Sequence, residues 1–334
     1  MKAPAFWSQP ESPLGRVLDP LGRLVSAVTL GRMDGVGTRI GVPVICVGNP
    51  TVGGAGKTPV VATIARRLNA SGRAVSILAR GYGGAQKGPV RVEPARHGAN
   101  DVGDEALLHA RVTPTIIARD RVQGAILAEA GGAEIIVMDD GFQSPALAKD
   151  LSLLVVDGAV GLGNGRVLPA GPLRAAFAPQ LARADALVVM GQGAAGEALS
   201  VLARASGKPV LKARLAPNPQ SAAALVGRDV LAFCGIGRPM KFVETLGAIG
   251  TRNAVLRPFA DHHVYSEADA ARLMTEADAT GLTLVTTEKD AVKLVGGPER
   301  LRLAARTLVL PVQAVFADEG LLDELLAPLL AGSV

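Results

Sequence analysis

The sequence predicts an α/β protein: a larger parallel-sheet domain, a smaller α/β domain and an amphipathic helix ahead of both. Three observations carry this. From Ile40 to about Arg214, short apolar runs alternate with segments of helical periodicity, the order that builds a parallel sheet with helices on both faces. The run Pro43–Val47 leads into Gly48-Asn49-Pro50-Thr51-Val52-Gly53-Gly54-Ala55-Gly56-Lys57-Thr58-Pro59, and a helix marked by Val60, Val61, Ile64, Ala65 and Leu68 follows. Strand, glycine loop and helix in that order make a phosphate-binding loop, so the larger domain is expected to be of the P-loop NTPase type. After Pro217-Asn218-Pro219-Gln220-Ser221 a second, shorter alternation begins. The expected units are residues 1–35, 36–216 and 217–334.

In residues 1–35, Leu14, Val17, Leu18, Leu21, Leu24, Val25 and Val28 recur every three or four positions, with Arg16, Arg23 and Arg32 between them and Phe6-Trp7 ahead. This is an amphipathic helix with a bend expected at Pro20. Two roles are open to it: packing on the body of the protein, or lying in a membrane interface with Trp7 and the arginines at the headgroups.

In the larger domain the expected strands are Pro43–Val47, Ala74–Ala79, Thr115–Ala118, Glu134–Met138, Leu151–Val156 and Ala186–Met190. The expected helices are Thr58–Ala70, Asp104–Arg111, Arg121–Ala130 and Gly196–Ala205. Ligands of such sheets gather at the carboxyl ends of the strands. There, Gly53, Gly54 and Gly56 can turn backbone N–H groups inward around an anion, helped by the positive end of the helix that follows. Residues Thr51, Val52, Gly53, Gly54, Ala55, Gly56, Lys57 and Thr58 are the expected nucleotide cradle, with Lys57 reaching the β- and γ-phosphates and Thr58 on Mg²⁺. Thr51 stands where the usual pattern has its first glycine.

The run Ile135–Met138 ends in Asp139-Asp140-Gly141, the place from which a carboxylate approaches Mg²⁺. Arg80-Gly81-Tyr82-Gly83-Gly84 ends another strand, and Asp101-Val102-Gly103-Asp104-Glu105 opens a helix, where acids serve equally as caps or as catalysts. The segment Gly163–Arg174 is loop-rich yet apolar, as expected of a loop that covers a substrate.

In the smaller domain, Val230–Cys234 and Thr283–Thr286 read as strands, Pro239–Gly247 and Glu267–Thr280 as helices. Thr307–Leu310 and Ala314–Phe316 read as further strands, and Leu321–Leu330 as a closing helix. Of four histidines, two lie together in Asp261-His262-His263-Val264-Tyr265. Without a supporting Cys or His cluster, proton chemistry is favoured over a zinc site.

Composition narrows the partners. A chain of 334 residues with 35 basic and 30 acidic side chains carries a net charge of +5, suited to anionic substrates or an anionic membrane surface. The charge is too diffuse for nucleic acid, and basic and aromatic residues are not interleaved as in single-strand binders. Two cysteines, Cys46 and Cys234, make no disulfide framework and fit a reducing cytosol. No apolar run approaches the ~18–20 residues that span a bilayer, nor is there the core of a signal peptide. A peripheral protein on the cytoplasmic side is expected.

Taken in order, these motifs resemble the tetraacyldisaccharide 4'-kinases, the lipid A 4'-kinases of Gram-negative bacteria. The resemblance is carried by Val47 to Pro59, Arg80 to Gly84, Val102 to Glu105, Asp139-Asp140-Gly141-Phe142-Gln143, Leu168 to Arg174, Gly235-Ile236-Gly237, Asp261-His262-His263 and Thr287-Glu288-Lys289-Asp290. This chain has Ser144 where the family pattern has histidine, and Arg174-Ala175-Ala176 where it has Arg-Glu-Pro. The resemblance implies transfer of the γ-phosphoryl group of ATP, with Mg²⁺, to the 4'-hydroxyl of tetraacyldisaccharide 1-phosphate, giving lipid IVA in lipid A biosynthesis. It also implies a peripheral place at the cytoplasmic face of the inner membrane, with a lipid-linked disaccharide as substrate and no protein partner, and it favours the interfacial role for the N-terminal helix.

By the same resemblance Asp104 is the general base, His262 its partner across the cleft, Lys57 a catalytic cation and Asp139 the metal-side acid with Thr58. Glu105 is a further metal ligand, Glu105 and Asp140 being second choices for the acidic roles. Arg80, Arg119 and Arg121 are candidate cations for phosphate groups. Two rivals lack a residue each: a partition-type switch ATPase has lysine where this chain has Val52, and a GTP-binding targeting protein needs a residue between Lys289 and Asp290.

Overall fold

The computed structural model describes residues 4–331. Among the described residues, thirteen strands form two sheets. The larger takes β1 (Val44–Gly48), β2 (Val75–Ala79), β3 (Val90–Arg91), β4 (Thr115–Ile117), β5 (Ile135–Asp139), β6 (Leu151–Asp157), β7 (Ala186–Met190) and β8 (Val210–Pro217). The smaller takes β9 (Asp229–Cys234), β10 (Asn253–Pro258), β11 (Thr283–Thr287) and β12 (Leu308–Leu310), while β13 (Val312–Phe316) returns to the first sheet. The strand orders are β13-β8-β7-β6-β1-β5-β2-β4-β3 and β10-β9-β11-β12.

The larger sheet is parallel from β8 to β4 and antiparallel only at its edges, where β3 pairs β4 and β13 pairs β8. Every residue of β1, β2, β5, β6 and β7 is buried, which is why these strands read as unbroken apolar runs. On one face, helix Lys57–Ala70 sets Val60, Val61, Ile64, Ala65 and Leu68 against Ile45, Val47, Ile77 and Val137. On the other face, helices 121–130, 177–182 and 194–205 cover Cys46, Leu78, Ile136 and Leu154.

The chain departs from the expected boundaries at its end. Residues 312–331, assigned from the sequence to the smaller domain of 217–334, belong to the larger sheet: β13 pairs β8 from Val312↔Pro217 to Phe316↔Ala213. The final helix Glu319–Ala331 then buries Leu322, Leu326 and Leu329 in the core beside helix Lys57–Ala70. Arg67 on that helix is ion-paired to Glu319 and Asp323. The smaller unit is therefore an insertion, tethered at both ends to the neighbouring strands β8 and β13 at one side of the larger sheet. Sequence order hides this, because an alternating strand names its partner only through register.

The N-terminal helix is Pro13–Met33, capped by Ser12 and running through Pro20. It packs through its small residues. Gly15, Gly22 and Ser26 are buried, and a Cβ on Gly22 would meet the Val167 carbonyl oxygen at 2.7 Å. Its large apolar residues face away: Leu14, Val17, Leu21, Leu24, Val25 and Val28 are exposed, Val17 by 74%.

Candidate active site

Both sheets end their parallel strands on one seam, and the site is built there. From β1 the chain enters the glycine loop, where Gly53 (φ 105°) and Gly56 (φ 87°) adopt backbone that a side chain would strain. Gly56 caps helix Lys57–Ala70. Asn49 organises the turn: its amide donates to the carbonyls of Thr51 (2.6 Å) and Gly53 (3.2 Å), and its Oδ1 accepts from Lys57 Nζ (2.9 Å). Gly53 and Gly54 are exposed, and Thr58 and Thr51 are partly so; Ala55 is buried against the core.

Val52 departs from its expected place in the cradle, because its N–H donates to the Pro172 carbonyl (2.8 Å). The loop's first half is stitched to the segment 172–174, with Arg174 N–H donating to Pro50 O (2.8 Å) and Arg174 Nε to Thr51 O (3.2 Å). The other side of that segment meets the N-terminal helix, where the Ala176 N–H donates to Ser26 Oγ (2.9 Å). Trp7 is fixed to the same loop by its indole N–H on Pro169 O (3.2 Å). One apolar loop thus joins the exposed helix to the phosphate loop. Of the departures from the family pattern, Ala175 is buried and Ala176 lies under the helix, so they sit on the helix side of this loop.

At the end of β5 the two aspartates part company. Asp139 is buried, and its Oδ2 accepts from His109 Nε2 (2.8 Å). Burial works against its charge, but the His109 hydrogen bond and the nearby cations hold its carboxyl below the usual range. Asp140, left-handed at φ 52°, lies 3.6 Å from Lys57 Nζ and 3.0 Å from Arg174 Nη2. One oxygen of each, Asp139 Oδ1 and Asp140 Oδ1, is buried without a hydrogen-bond partner among the described residues. Arg121, expected as a phosphate cation, is buried and occupied: its Nη2 donates to the carbonyls of Asp139 (3.0 Å) and Asp140 (3.4 Å). Arg80 and Arg119 remain exposed.

The smaller unit brings its acids and bases to the same seam. His262, also left-handed at φ 59°, places Nδ1 3.0 Å from Asp104 Oδ2 and 3.1 Å from its Oδ1. Tyr82 meets the imidazole edge to face at 5.2 Å. Asp104 is only 4% exposed. Burial raises the carboxyl's pKa, yet the His262 hydrogen bond and the Lys289 and Lys293 charges outweigh it, and the group stays below the usual carboxylate range. The same hydrogen bond lifts His262 above its ordinary value, against its partial burial.

Glu105, expected near the metal, pairs through Oε1 with Lys289 Nζ at 3.2 Å. Behind these groups Asp290 accepts from Tyr265 (2.9 Å) and from the Gly235 N–H (2.9 Å), with Lys293 Nζ at 2.7 Å. A second bridge joins the units at Asp157, which ends β6 and meets Arg238 at 2.5 Å.

Asn49, Gln143 (whose amide donates to the Asn49 carbonyl at 2.9 Å and accepts from Arg174 at 3.4 Å), Arg174, Lys289 and Lys293 are not among the site residues expected from the sequence. The first four lie inside the motifs quoted above, so the signal was present but carried no role. Lys293 carries no motif at all.

Gly103 sets Asp104 at the mouth of its helix. Its φ of 88° with ψ 150° is glycine territory, and a Cβ there would meet the Tyr82 carbonyl oxygen at 2.3 Å. Gly103→Ala should cost about 1–3 kcal/mol in backbone strain before the clash is counted. Thermal melting should fall by about 2–4 °C per kcal/mol; an unchanged Tm with full turnover would contradict this account of the turn.

A P-loop, paired carboxylates beside its lysine, and a carboxylate and imidazole meeting across a seam define a P-loop phosphotransferase. A family model for tetraacyldisaccharide-1-P 4'-kinase matches residues 14–331, and the chain belongs to that family. The tetraacyldisaccharide 4'-kinase of Azorhizobium caulinodans is 56% identical over 293 residues, covering 88% of this chain and 87% of its own. That of Nitrobacter winogradskyi is 51% identical, covering 96% and 95%. Among solved structures, LpxK from Aquifex aeolicus in complex with ATP superposes with a TM-score of 0.72 at 28% identity, covering 95% of this chain and 99% of that one. The chain is accordingly a kinase whose substrate is a lipid-linked disaccharide.

Proposed function

We propose that this chain transfers the γ-phosphoryl group of ATP to the 4'-hydroxyl of tetraacyldisaccharide 1-phosphate with Asp104 as general base and His262 as its partner. The observation that carries the assignment is the 3.0 Å contact between Asp104 and His262, one residue from each unit. A sugar hydroxyl is a weak nucleophile and gains from a base within hydrogen-bond reach. Asp104, held ionised, accepts the 4'-hydroxyl proton as the oxygen attacks the γ-phosphorus; the bond to the β-phosphate oxygen breaks and ADP leaves. His262 donates to the carboxylate and orients it.

The glycine N–H groups from Gly53 to Gly56, with Lys57, hold the phosphates; Val52 anchors the loop instead. Arg174 and Lys57 flank Asp140 beside the loop. Mg²⁺ suits the donor set, which offers the Thr58 hydroxyl and the unpartnered carboxylate oxygens of Asp139 and Asp140, hard oxygen ligands for a hard cation. Glu105 retains Oε2 for the same purpose. Held there, the metal would supply positive charge to offset the charge that develops on the phosphoryl oxygens. Closing the two units around the substrates would keep water from the phosphoryl group.

Transfer is tested with purified protein, Mg²⁺, γ-labelled ATP and the lipid acceptor in micelles, beside a no-lipid control. Label in the lipid only when both substrates are present is expected. ATP hydrolysis without labelled lipid, in folded nucleotide-bound protein, would favour a switch ATPase.

We further infer a peripheral site at the cytoplasmic face of the inner membrane, reached through helix Pro13–Met33. No helix among the described residues is long and apolar enough to cross a bilayer. This helix instead turns six large apolar side chains outward while glycines and a serine hold it to the protein, as an interfacial helix does. The net charge of +5 favours anionic lipid. Val17→Asp and Leu24→Asp should each weaken binding to anionic vesicles by about tenfold or more, the value of one buried apolar side chain, with Tm unchanged. Vesicle binding equal to wild type in the double variant would remove the helix from this role. Neither a nucleic acid nor a protein partner is required by this reading.

A further inference from the structure

Lys289 opens a short helix, Glu288–Ala291, directly after β11. Its ammonium sits in the seam with three neighbours: Glu105 Oε1 at 3.2 Å, Asp261 Oδ1 at 3.4 Å and His262 Nε2 at 3.4 Å. An ammonium carries three donors and no acceptor, so these neighbours account for all it can give. The third is the informative one. His262 Nε2 also lies 3.9 Å from Asp261 Oδ1, beyond hydrogen-bond reach, so the ammonium is its nearer partner, and a neutral ring whose Nε2 accepts from it carries its proton on Nδ1, against Asp104.

We propose that Lys289 is a positioning residue of the dyad: held by Glu105 and Asp261, it donates to His262 Nε2 and fixes the neutral ring in the Nδ1–H tautomer that faces Asp104. The proposal rests on the dyad reading above. The opposite tautomer would set an imidazole lone pair against a buried carboxylate, and the ring would turn away. A cation of fixed charge is required for this, and the site supplies one. Glu105 Oε1 at 3.2 Å and Asp261 Oδ1 at 3.4 Å flank the ammonium from the two units. Geometry also gives Lys289 a second duty. Glu105 belongs to the larger unit while Asp261, His262 and Lys289 belong to the smaller, so the ring takes its orientation only where the units meet.

The test uses the full chain. Histidine is ¹⁵N-labelled and His262 is assigned among the four histidines by comparison with His262→Gln. Spectra are taken near pH 9, above the usual range of imidazole titration and below that of lysine. Kinetics are measured for Lys289→Met, Lys289→Arg, Asp104→Ala and His262→Ala, with ATP binding and Tm as checks of folding.

Expected for Lys289→Met is a fall in kcat of about 10- to 100-fold, the scale of a misplaced catalytic group. The KM for ATP should stay within about twofold, and the His262 signals should change from one Nδ1–H tautomer to a mixture. Lys289→Arg, which keeps a cationic donor, should retain the tautomer and recover most of the turnover. A His262 tautomer unaltered in Lys289→Met overturns the proposal, since the ring is then oriented without Lys289. So does near-wild-type turnover in Lys289→Met while Asp104→Ala and His262→Ala are crippled, an outcome that leaves the dyad standing. Near-wild-type turnover in those two removes the dyad itself, and this proposal with it.

Discussion

Asp104→Ala should lower kcat by about 10²- to 10⁴-fold, the usual worth of a positioned general base, while KM for ATP stays close to wild type. The prediction follows from where the carboxylate stands. It is almost fully buried, yet it accepts from His262 and is flanked by Lys289 and by Lys293 Nζ at 4.0 Å. An ionised carboxylate in such a place costs several kcal/mol unless it is paired, and here every cation near it comes from the smaller unit. His262→Ala should show a similar fall, and the double variant should be little worse than either single one, because the two act as one device. Multiplicative losses in the double variant would mean that the residues contribute separately. Asp104→Asn tells base from scaffold: it keeps the shape and loses the proton acceptor, so it should be as slow as alanine.

How far the sequence discloses this arrangement depends on the kind of information each residue carries. The buried strands β1, β2, β5, β6 and β7 are legible because burial on both faces leaves an apolar run of fixed length. Strand β10 is not, because only its middle residues are even half-buried and its apolar signal is thin. The return of β13 to the larger sheet is hidden for another reason: pairing across about a hundred residues leaves no local mark. At the site, Lys57 and Asp104 are legible from motifs that position backbone and charge. The occupation of Arg121 by the carbonyls of Asp139 and Asp140 is not, since a buried arginine and a phosphate-binding one read alike in sequence.

The apolar periodicity of helix Pro13–Met33 has its own lesson. A stripe of leucines and valines ordinarily marks the face turned to the core. Here Gly15, Gly22 and Ser26 face the core, and the stripe faces out. Close approach through glycine brings the helix backbone against the loop that carries Val167 and Ala170, the loop that also ties down Val52 and positions Arg174. The exposed apolar stripe of the helix and the phosphate loop are therefore joined through one short segment.

Lys57→Met should reduce kcat/KM for ATP by about 10²- to 10³-fold, the cost of removing one preorganised donor from developing phosphoryl charge. Its effect should differ in kind from that of Asp104→Ala, because ATP use itself is damaged. The side chain is only 12% exposed and is aimed by two contacts, Asn49 Oδ1 at 2.9 Å and Asp140 Oδ1 at 3.6 Å. Asn49 in turn shapes the loop through Thr51 and Gly53, so lysine and loop are held as one piece. Lys57→Arg should fail to rescue. A guanidinium is a planar fork rather than a compact point charge, and the space between Asn49 and Asp140 is cut for the latter. Asn49→Ala should give a smaller loss of the same kind, raising KM for ATP more than it lowers kcat, since it loosens the loop without removing the charge. Steady-state rates against ATP at saturating lipid, with direct nucleotide binding alongside, measure all three. Full activity in Lys57→Met would place the phosphate charge on other cations, with Arg174 the nearest in reach of Asp140.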